Sequence, residues 1–354
     1  MTYTVQTASD LNDIPALIAA FALARGWTVQ DTTITRPGGG RAFQIYADKT
    51  APVVNGRNSP HRIGVRDALL PAARFVWTSA PQLGGTWNPS SPVAPTKLHL
   101  FGNDAPYDEE GSVAPWIAVV IEFGYNHYRH MYIGNMVKFG DYEGGEVISA
   151  NYFRQSNFYY WETSVGYTDN LHKYLFCGGV YTSNSGNPEG ANMPTLSAGG
   201  GVNIEHADNA ETWRRFGSQY MSDNNFIRNL GGNVVLGGVK DSGLVGGLLR
   251  RGVSDFAGAD ILVPYNLFVP DGAKGSDYRL RPIGFPAGPR AIDMRNIQSE
   301  ASISVGNRNW RVFGEFQRNI RTSVSKNGLD GTAGNWWDEE TSYYVGVAYP
   351  ETDS

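Results

Sequence analysis

YNHYRHMYIGNMVKFGDYEGGEVISANYF, residues 125–153, is the stretch on which the fold reading turns. Two strand patterns, 128–133 and 146–150, flank a break made by Gly140, Asp141, Gly144 and Gly145. Side chains alternate along a strand, so Tyr128, His130 and Tyr132 share one face, while Arg129, Met131 and Ile133 share the other. Neither face is purely polar. Such a strand fits a sheet covered on both sides, by this chain or a neighbour's.

Outward from this run the same signal recurs. In 116–123, WIAVVIEF, Ile117, Val119, Ile121 and Phe123 face one way, and Ala118 and Val120 make the other side apolar too, a central position. Residues 9–26 carry apolar groups at helical spacing: Leu11, Ile14, Leu17, Ile18, Phe21 and Leu23. Asn12 is the expected N-cap, Asp13 and Pro15 fit the first turn, and Gly26 is the expected left-handed terminator. A strand from Trp27 to about Thr35, the Gly38–Gly40 turn and a strand over 41–46 then pack a small antiparallel sheet on the helix. Residues 50–115 are proline-rich, with short strands expected at 62–65 and 74–78. Further on, 183–210 reads as a polar loop, 211–228 as a helix interrupted by Gly217, and 261–269, 278–285, 302–305, 309–316 and 343–349 as strands. No fixed-period repeat is visible, which disfavours a solenoid or propeller. The fold class expected is mainly β with an N-terminal α+β portion, its antiparallel sheets packed sandwich-fashion and joined by many Gly/Pro turns. Four parts follow: 1–50, helix plus small sheet; 51–182, a β-rich domain; 183–300, a loop-rich insertion or second β domain; and 301–354, strands returning to the main β domain.

Composition narrows the function. The chain has 354 residues, of which 41% are hydrophobic, 12% aromatic and only 18% charged, with 43 glycines and 19 prolines. That is ample core material, cut by turns. The net charge of −5 argues against wholesale binding to nucleic acid or anionic membrane, which needs dense Lys/Arg clusters. Cys177, the sole cysteine, excludes an intrachain disulfide and reads as a small buried thiol beside Phe176. The N-terminal MTYTVQTASD has neither a basic region nor an apolar core, and the run 14–24 is too short to cross a bilayer. Synthesis in a cytoplasm and a soluble chain up to assembly are expected.

No catalytic constellation stands out. His127 and His130 are three apart on a strand, so they point to opposite faces and do not share a metal. His99, His172 and His206 are isolated, each better read as a hydrogen-bonding histidine than a catalytic one. A glycosidase would need two carboxylates across a cleft; Glu109, Glu110, Asp141, Glu143, Glu339 and Glu340, beside Trp336 or Trp337, are the groups available. Asp271–Asp277, DGAKGSD, lacks the ligand pattern of a calcium loop. The surplus is aromatic: Tyr159, Tyr160, Trp161, Trp336, Trp337, Tyr343 and Tyr344 occur in clusters that alternation puts on both faces. Subunit interfaces favour such anchors, and carbohydrate stacking is the rival use.

The run Tyr128, Arg129, His130, Met131, Tyr132, Ile133, Gly134, then Lys138, Gly140, Tyr142, Gly144 and Gly145, resembles a motif in a family of virion structural proteins of tailed bacteriophages. Arg25-Gly26-Trp27-Thr28 at the helix end and NWRVFGEFQRN, residues 309–319, resemble the same family. The resemblance covers roughly the first half and the last quarter of the chain; residues 155–300 match nothing. It implies a structural protein of the tail tip, baseplate or fibre-attachment region; the absence of a catalytic constellation adds the expectation of no enzyme activity, no cofactor and no metal. Its partners would be copies of itself in a symmetric assembly, other tail proteins, and at most a host surface glycan. The motif or interface candidates are Tyr128, Arg129, Tyr132, Lys138, Gly140, Gly144 and Gly145, with Trp336 and Trp337. The alternatives are a carbohydrate-binding or carbohydrate-degrading tailspike-type protein, and a head decoration or head–tail connector protein.

Overall fold

A computed structural model of the chain describes residues 2–38, 41–49, 62–68, 76–79, 94–103, 115–123, 128–140, 144–150, 201–206, 213–215, 262–265, 267–271, 279–293, 297–314 and 345–352. These are mostly β, with one short helix and antiparallel sheets. The helix, α1 (Asp13–Leu23), is shorter than its apolar spacing predicts. Asn12 does not cap it through its side chain. Instead Asp13 Oδ2 accepts the backbone N–H groups of Ser9 and Asp10 at 3.1 and 2.9 Å, and Asp10 Oδ1 accepts that of Asn12 at 2.8 Å. Asp10 thus accepts as an N-cap does, Asp13 reaches back to the Asp10 N–H as in a capping box, and the Asp13 carboxylate also complements the helix dipole. The far end closes as the sequence predicts: Gly26 adopts φ 79°, Trp27 N–H reaches back to Ala22 O and Gly26 N–H to Leu23 O, each at 3.1 Å. This paired closure turns the chain so that Trp27 drops into the core.

The central sheet runs β1 (Thr2–Gln6), β7 (Pro95–Gly102), β8 (Trp116–Phe123), β9 (Tyr128–Lys138), β10 (Gly144–Ala150), β11 (Gly201–His206), β12 (Trp213–Arg215), and β15 (Arg279–Pro286) with β14 (Leu267–Asp271) extends it from the end of β9. A second sheet orders β2 (Thr28–Gln30), β3 (Thr33–Thr35), β4 (Ala42–Asp48), β5 (Arg62–Asp67) and β6 (Val76–Ser79). A third orders β13 (Val263–Pro264), β16 (Arg290–Asp293), β19 (Val345–Thr352), β18 (Arg308–Gly314) and β17 (Ser302–Val305). Two expectations fail here. Residues 201–206 are not loop but strand β11 against β10, and 213–215 are not the start of a helix but strand β12 against β11. Val202 and Ile204 alternate with polar neighbours, and pairing along an open sheet edge outweighs a weak helical spacing. Residues 1–50 supply strands to two sheets, since β1 pairs with β7 while β4 pairs with β5.

The central sheet is covered on both faces. On one, Leu98, Leu100, Ile117, Val119, Ile121, Phe123, Met131, Ile133, Ile148 and Ala150 form a continuous core with Ile14, Ile18, Phe21 and Ala22 of α1 and Phe43, Ile45, Ile63 and Val65 of the second sheet. On the other, Phe101, Tyr128 and His130 meet Phe313 and Tyr349 of the third sheet. Each large apolar side chain so buried contributes about 1.5–3 kcal/mol. All of β8 is buried, as its two-sided pattern requires.

Trp116 marks the tightest packing. Its ring stacks on Tyr132, centroids 6.1 Å apart and planes 18° apart. Two glycines close over it: a Cβ on Gly134 would lie 2.4 Å from Trp116 Cβ, and one on Gly288 would lie 2.4 Å from Trp116 Cζ2. Gly134→Ala and Gly288→Ala are therefore each expected to destabilise the fold by about 1–3 kcal/mol through overpacking. Urea unfolding of the two variants checks this, and an unchanged midpoint for both would refute the packing argument.

Candidate functional site

The pleat gathers a polar cluster on the face toward the third sheet. In β7, Lys97, His99 and Phe101 alternate toward the third sheet, and in β8 Glu122 shares the face of Trp116, Ala118 and Val120. Register then makes rows. Lys97 lies opposite Glu122, which lies opposite Tyr128; His99 lies opposite Val120, which lies opposite His130. The third sheet completes the first row with Glu300, in the turn before β17.

At the end of this seam the polar groups converge. Lys97 Nζ donates to both Glu300 oxygens at 3.2 Å and forms an ion pair with Glu122 Oε2 at 3.3 Å. Tyr128 OH donates to Glu300 Oε1 at 2.9 Å. His99 Nδ1 bonds Tyr3 OH at 2.9 Å, while Nε2 faces Glu300 Oε1 at 3.9 Å, too far for a hydrogen bond. Glu300 is held in the left-handed region, φ 68°, by its N–H to Val312 O at 2.7 Å and by Arg311, which donates to its carbonyl. Burial pushes His99 down to about 4, so it is neutral at pH 7; Glu300 opposes that shift and Lys97 and Arg311 add to it. Burial alone would raise the Glu300 carboxyl, but the bonds from Tyr128 and Lys97 prevail and hold it below the usual range. For Lys97, burial would lower the ammonium, and the two carboxylates outweigh it and raise it. The result is one ammonium and one neutral imidazole facing two carboxylates.

A second polar feature is fully enclosed. His130 Nδ1 lies 2.9 Å from Tyr349 OH and Nε2 3.3 Å from Gly314 O. One neutral tautomer satisfies both: Nε2–H donates to the carbonyl and Nδ1 accepts from the phenol. Burial, aided by Arg129 and His99 and opposed by the bond to Gly314, drives His130 down to about 3. The rings around it form a laminate: Tyr3 on Phe101 at 4.7 Å, Phe101 on Tyr349 at 4.8 Å, His99 against Phe313 at 4.8 Å and Tyr128 against Phe313 at 5.3 Å.

The motif residues separate by face. Tyr128 and Tyr132 lie in the seam. Tyr132 is wholly buried, its hydroxyl donating to Asn135 O at 2.7 Å and Ala287 O at 3.1 Å. Arg129 points the other way, buried, donating to Tyr128 O at 2.9 Å, its guanidinium lowered to about 10 by burial. Lys138 is exposed at the end of β9. Gly140, just beyond it, has φ 104°, and Gly145 in β10 has φ 106° beside the Lys138 stem; Gly144 opens β10 opposite His206. Trp336, Trp337, His127, Cys177 and the carboxylates of Glu109, Glu110, Asp141, Glu143, Glu339 and Glu340 lie outside the described residues. Sequence reading misses the Lys97–Glu122–Glu300 cluster. A signal exists for Glu122, the lone charge in an otherwise apolar strand; none exists for Glu300.

Comparison of the chain with protein-family models finds no match, and comparison with curated proteins finds none.

Two expectations follow from the seam. Tyr132→Ala is expected to cost about 3–5 kcal/mol, because it removes a fully buried ring; chemical denaturation measures it. His130 binds its proton at about 6.5 when unfolded but only near 3 when folded. The unfolded chain then holds more protons within that window, so stability should fall as pH drops from about 6.5 toward 3. His130→Gln, which keeps a neutral hydrogen-bonding side chain, should flatten that fall in a series of thermal melts; an undiminished slope would remove His130 as its source.

Proposed function

We propose that this chain is a structural component of a tailed-bacteriophage virion, in the tail tip, baseplate or fibre-attachment region, working through subunit interfaces. The observation that carries the reading is the use made of the phage-like run. Tyr128, His130 and Tyr132 each hydrogen-bond to a residue more than 150 positions away, and Met131 and Ile133 fill the opposite core. A motif with that role maintains a rigid body. The other phage-like pieces serve the same body: Gly26-Trp27 turns α1 into the core, and Trp310, Val312 and Phe313 of β18 lie buried in the third sheet. A stiff layered body suits a particle part that bears load and repeats by symmetry.

Among the described residues no helix is long and apolar enough to cross a membrane. The reading calls for protein partners: further copies of this chain and neighbouring tail proteins. Closed symmetry is the default for identical contacts, and each interface should bury on the order of 1,000 Å² or more. A cryo-electron microscopy map of the particle tests this. A symmetric ring of this chain in the tail is the expected outcome; absence from the particle, or isolated copies with small wet contacts, would overturn it. Incubation of the purified protein with host polysaccharide is expected to release no new reducing ends, and their release would favour the tailspike alternative.

A further inference from the structure

The geometry points to a divalent-cation site formed by His99 Nε2, Glu122 and Glu300, in which the Lys97 ammonium is a displaceable competitor. This is independent of the virion reading. One potential ligand atom from each of the three residues lies within 4.8 Å of the others. Ligands around a tetrahedral zinc ion at 2.0–2.2 Å stand about 3.4 Å apart, so side-chain shifts of about an ångström bring the set into range.

One orphaned atom and one held only by an ion pair belong to this set. His99 is almost wholly buried, and its Nε2 has no hydrogen-bond partner; Glu122 Oε2 has none either, only the ion-pair contact with Lys97. Leaving buried polar atoms unsatisfied is costly. If Nδ1–H donates to Tyr3 OH, the Nε2 lone pair faces the Glu300 carboxylate across 3.9 Å. A cation there would satisfy the imidazole and both carboxylates together. The outer partners of a histidine–carboxylate site are already placed: Tyr3 OH fixes the His99 ring and Tyr128 OH fixes Glu300 Oε1. One imidazole and two carboxylates suit a borderline ion such as Zn²⁺, with a fourth position left open. Lys97 is the way in. Its side chain is 44% exposed, so the ammonium can swing to water as the ion enters. The bound ion would pin the turn before β17 to β7 and β8, cross-linking two layers of the fold.

The test is calorimetric titration of Zn²⁺ into the full chain after chelator treatment, with Co²⁺ as a visible-absorption reporter of coordination geometry. One equivalent of Zn²⁺ should bind the wild-type chain. Lys97→Met, which removes the competing charge, should bind about tenfold or more tightly, and Glu300→Gln at least tenfold more weakly. Circular dichroism confirms that each variant is folded; the gain in Lys97→Met does not depend on a damaged protein. No binding by the wild-type chain, binding by Lys97→Met alone, or equal binding by folded Glu300→Gln would each overturn the site and leave Lys97 as the partner of both carboxylates.

Discussion

Strands β8 and β9 carry large side chains on both sides of one sheet, and neither side can be left in water. A pleat fixes this without appeal to tertiary structure: Ile117, Val119 and Ile121 must leave one face and Trp116, Ala118 and Val120 the other. Two covers are then required, and the chain supplies them from its two ends. The N-terminal helix and second sheet close one face. The third sheet, whose strands β18 and β19 lie some 180–220 residues downstream of β9, closes the other. Such a core is assembled from contacts of large sequence separation, a topology in which loop-closure entropy is met before the contacts are gained.

The two covers differ in chemistry. The helix-facing side is mainly aliphatic, and the charges it buries have partners: Arg129 donates to Tyr128 O at 2.9 Å, Arg36 pairs with Glu146 at 2.8 Å and Arg41 with Asp67 at 3.2 Å. The opposite side is aromatic and carries two histidines. A phenol or imidazole brings ring area together with a hydrogen-bonding tip, so it can fill a core and still tie one sheet to another. The tie has a condition. His130 serves only while neutral, since its ring nitrogens meet a phenol and a backbone carbonyl, Tyr349 OH and Gly314 O, rather than a carboxylate that would balance a buried charge.

The parts of this design that depend on local rules can be read from the chain. The faces of β9 follow from alternation alone, and Gly26 is legible because only a left-handed residue closes that helix end. What depends on distant pairing is not legible. β1 and β16 are short and gain their identity from β7 and β19. Residues 201–206 and 213–215 mislead because their local pattern is weak and the edge of β10 decides their state. The helix cap misleads for a subtler reason: Asn12 and Asp10 are both capping types, and the capping bond is made by Asp10, which accepts the Asn12 N–H while Asp13 accepts that of Asp10.

The rim cluster depends on distant pairing too, which is how a sheet can hide a site from sequence reading. Lys97 and Glu122 are cross-strand neighbours twenty-five positions apart, and Glu300 arrives from another layer nearly two hundred residues on. No spacing encodes such a set. What the sequence does carry is a lone carboxylate in WIAVVIEF and a lone histidine in 97–101, each on an apolar strand that buries it. A buried charge is retained only where something compensates it. The Glu122 carboxylate therefore requires a partner of opposite sign, while the neutral His99 on the adjacent strand, with the same pleat phase, requires only a partner for its ring nitrogens. Here the partner of Glu122 is the Lys97 ammonium at 3.3 Å, and His99 Nδ1 meets Tyr3 OH while Nε2 is the atom offered to the proposed cation.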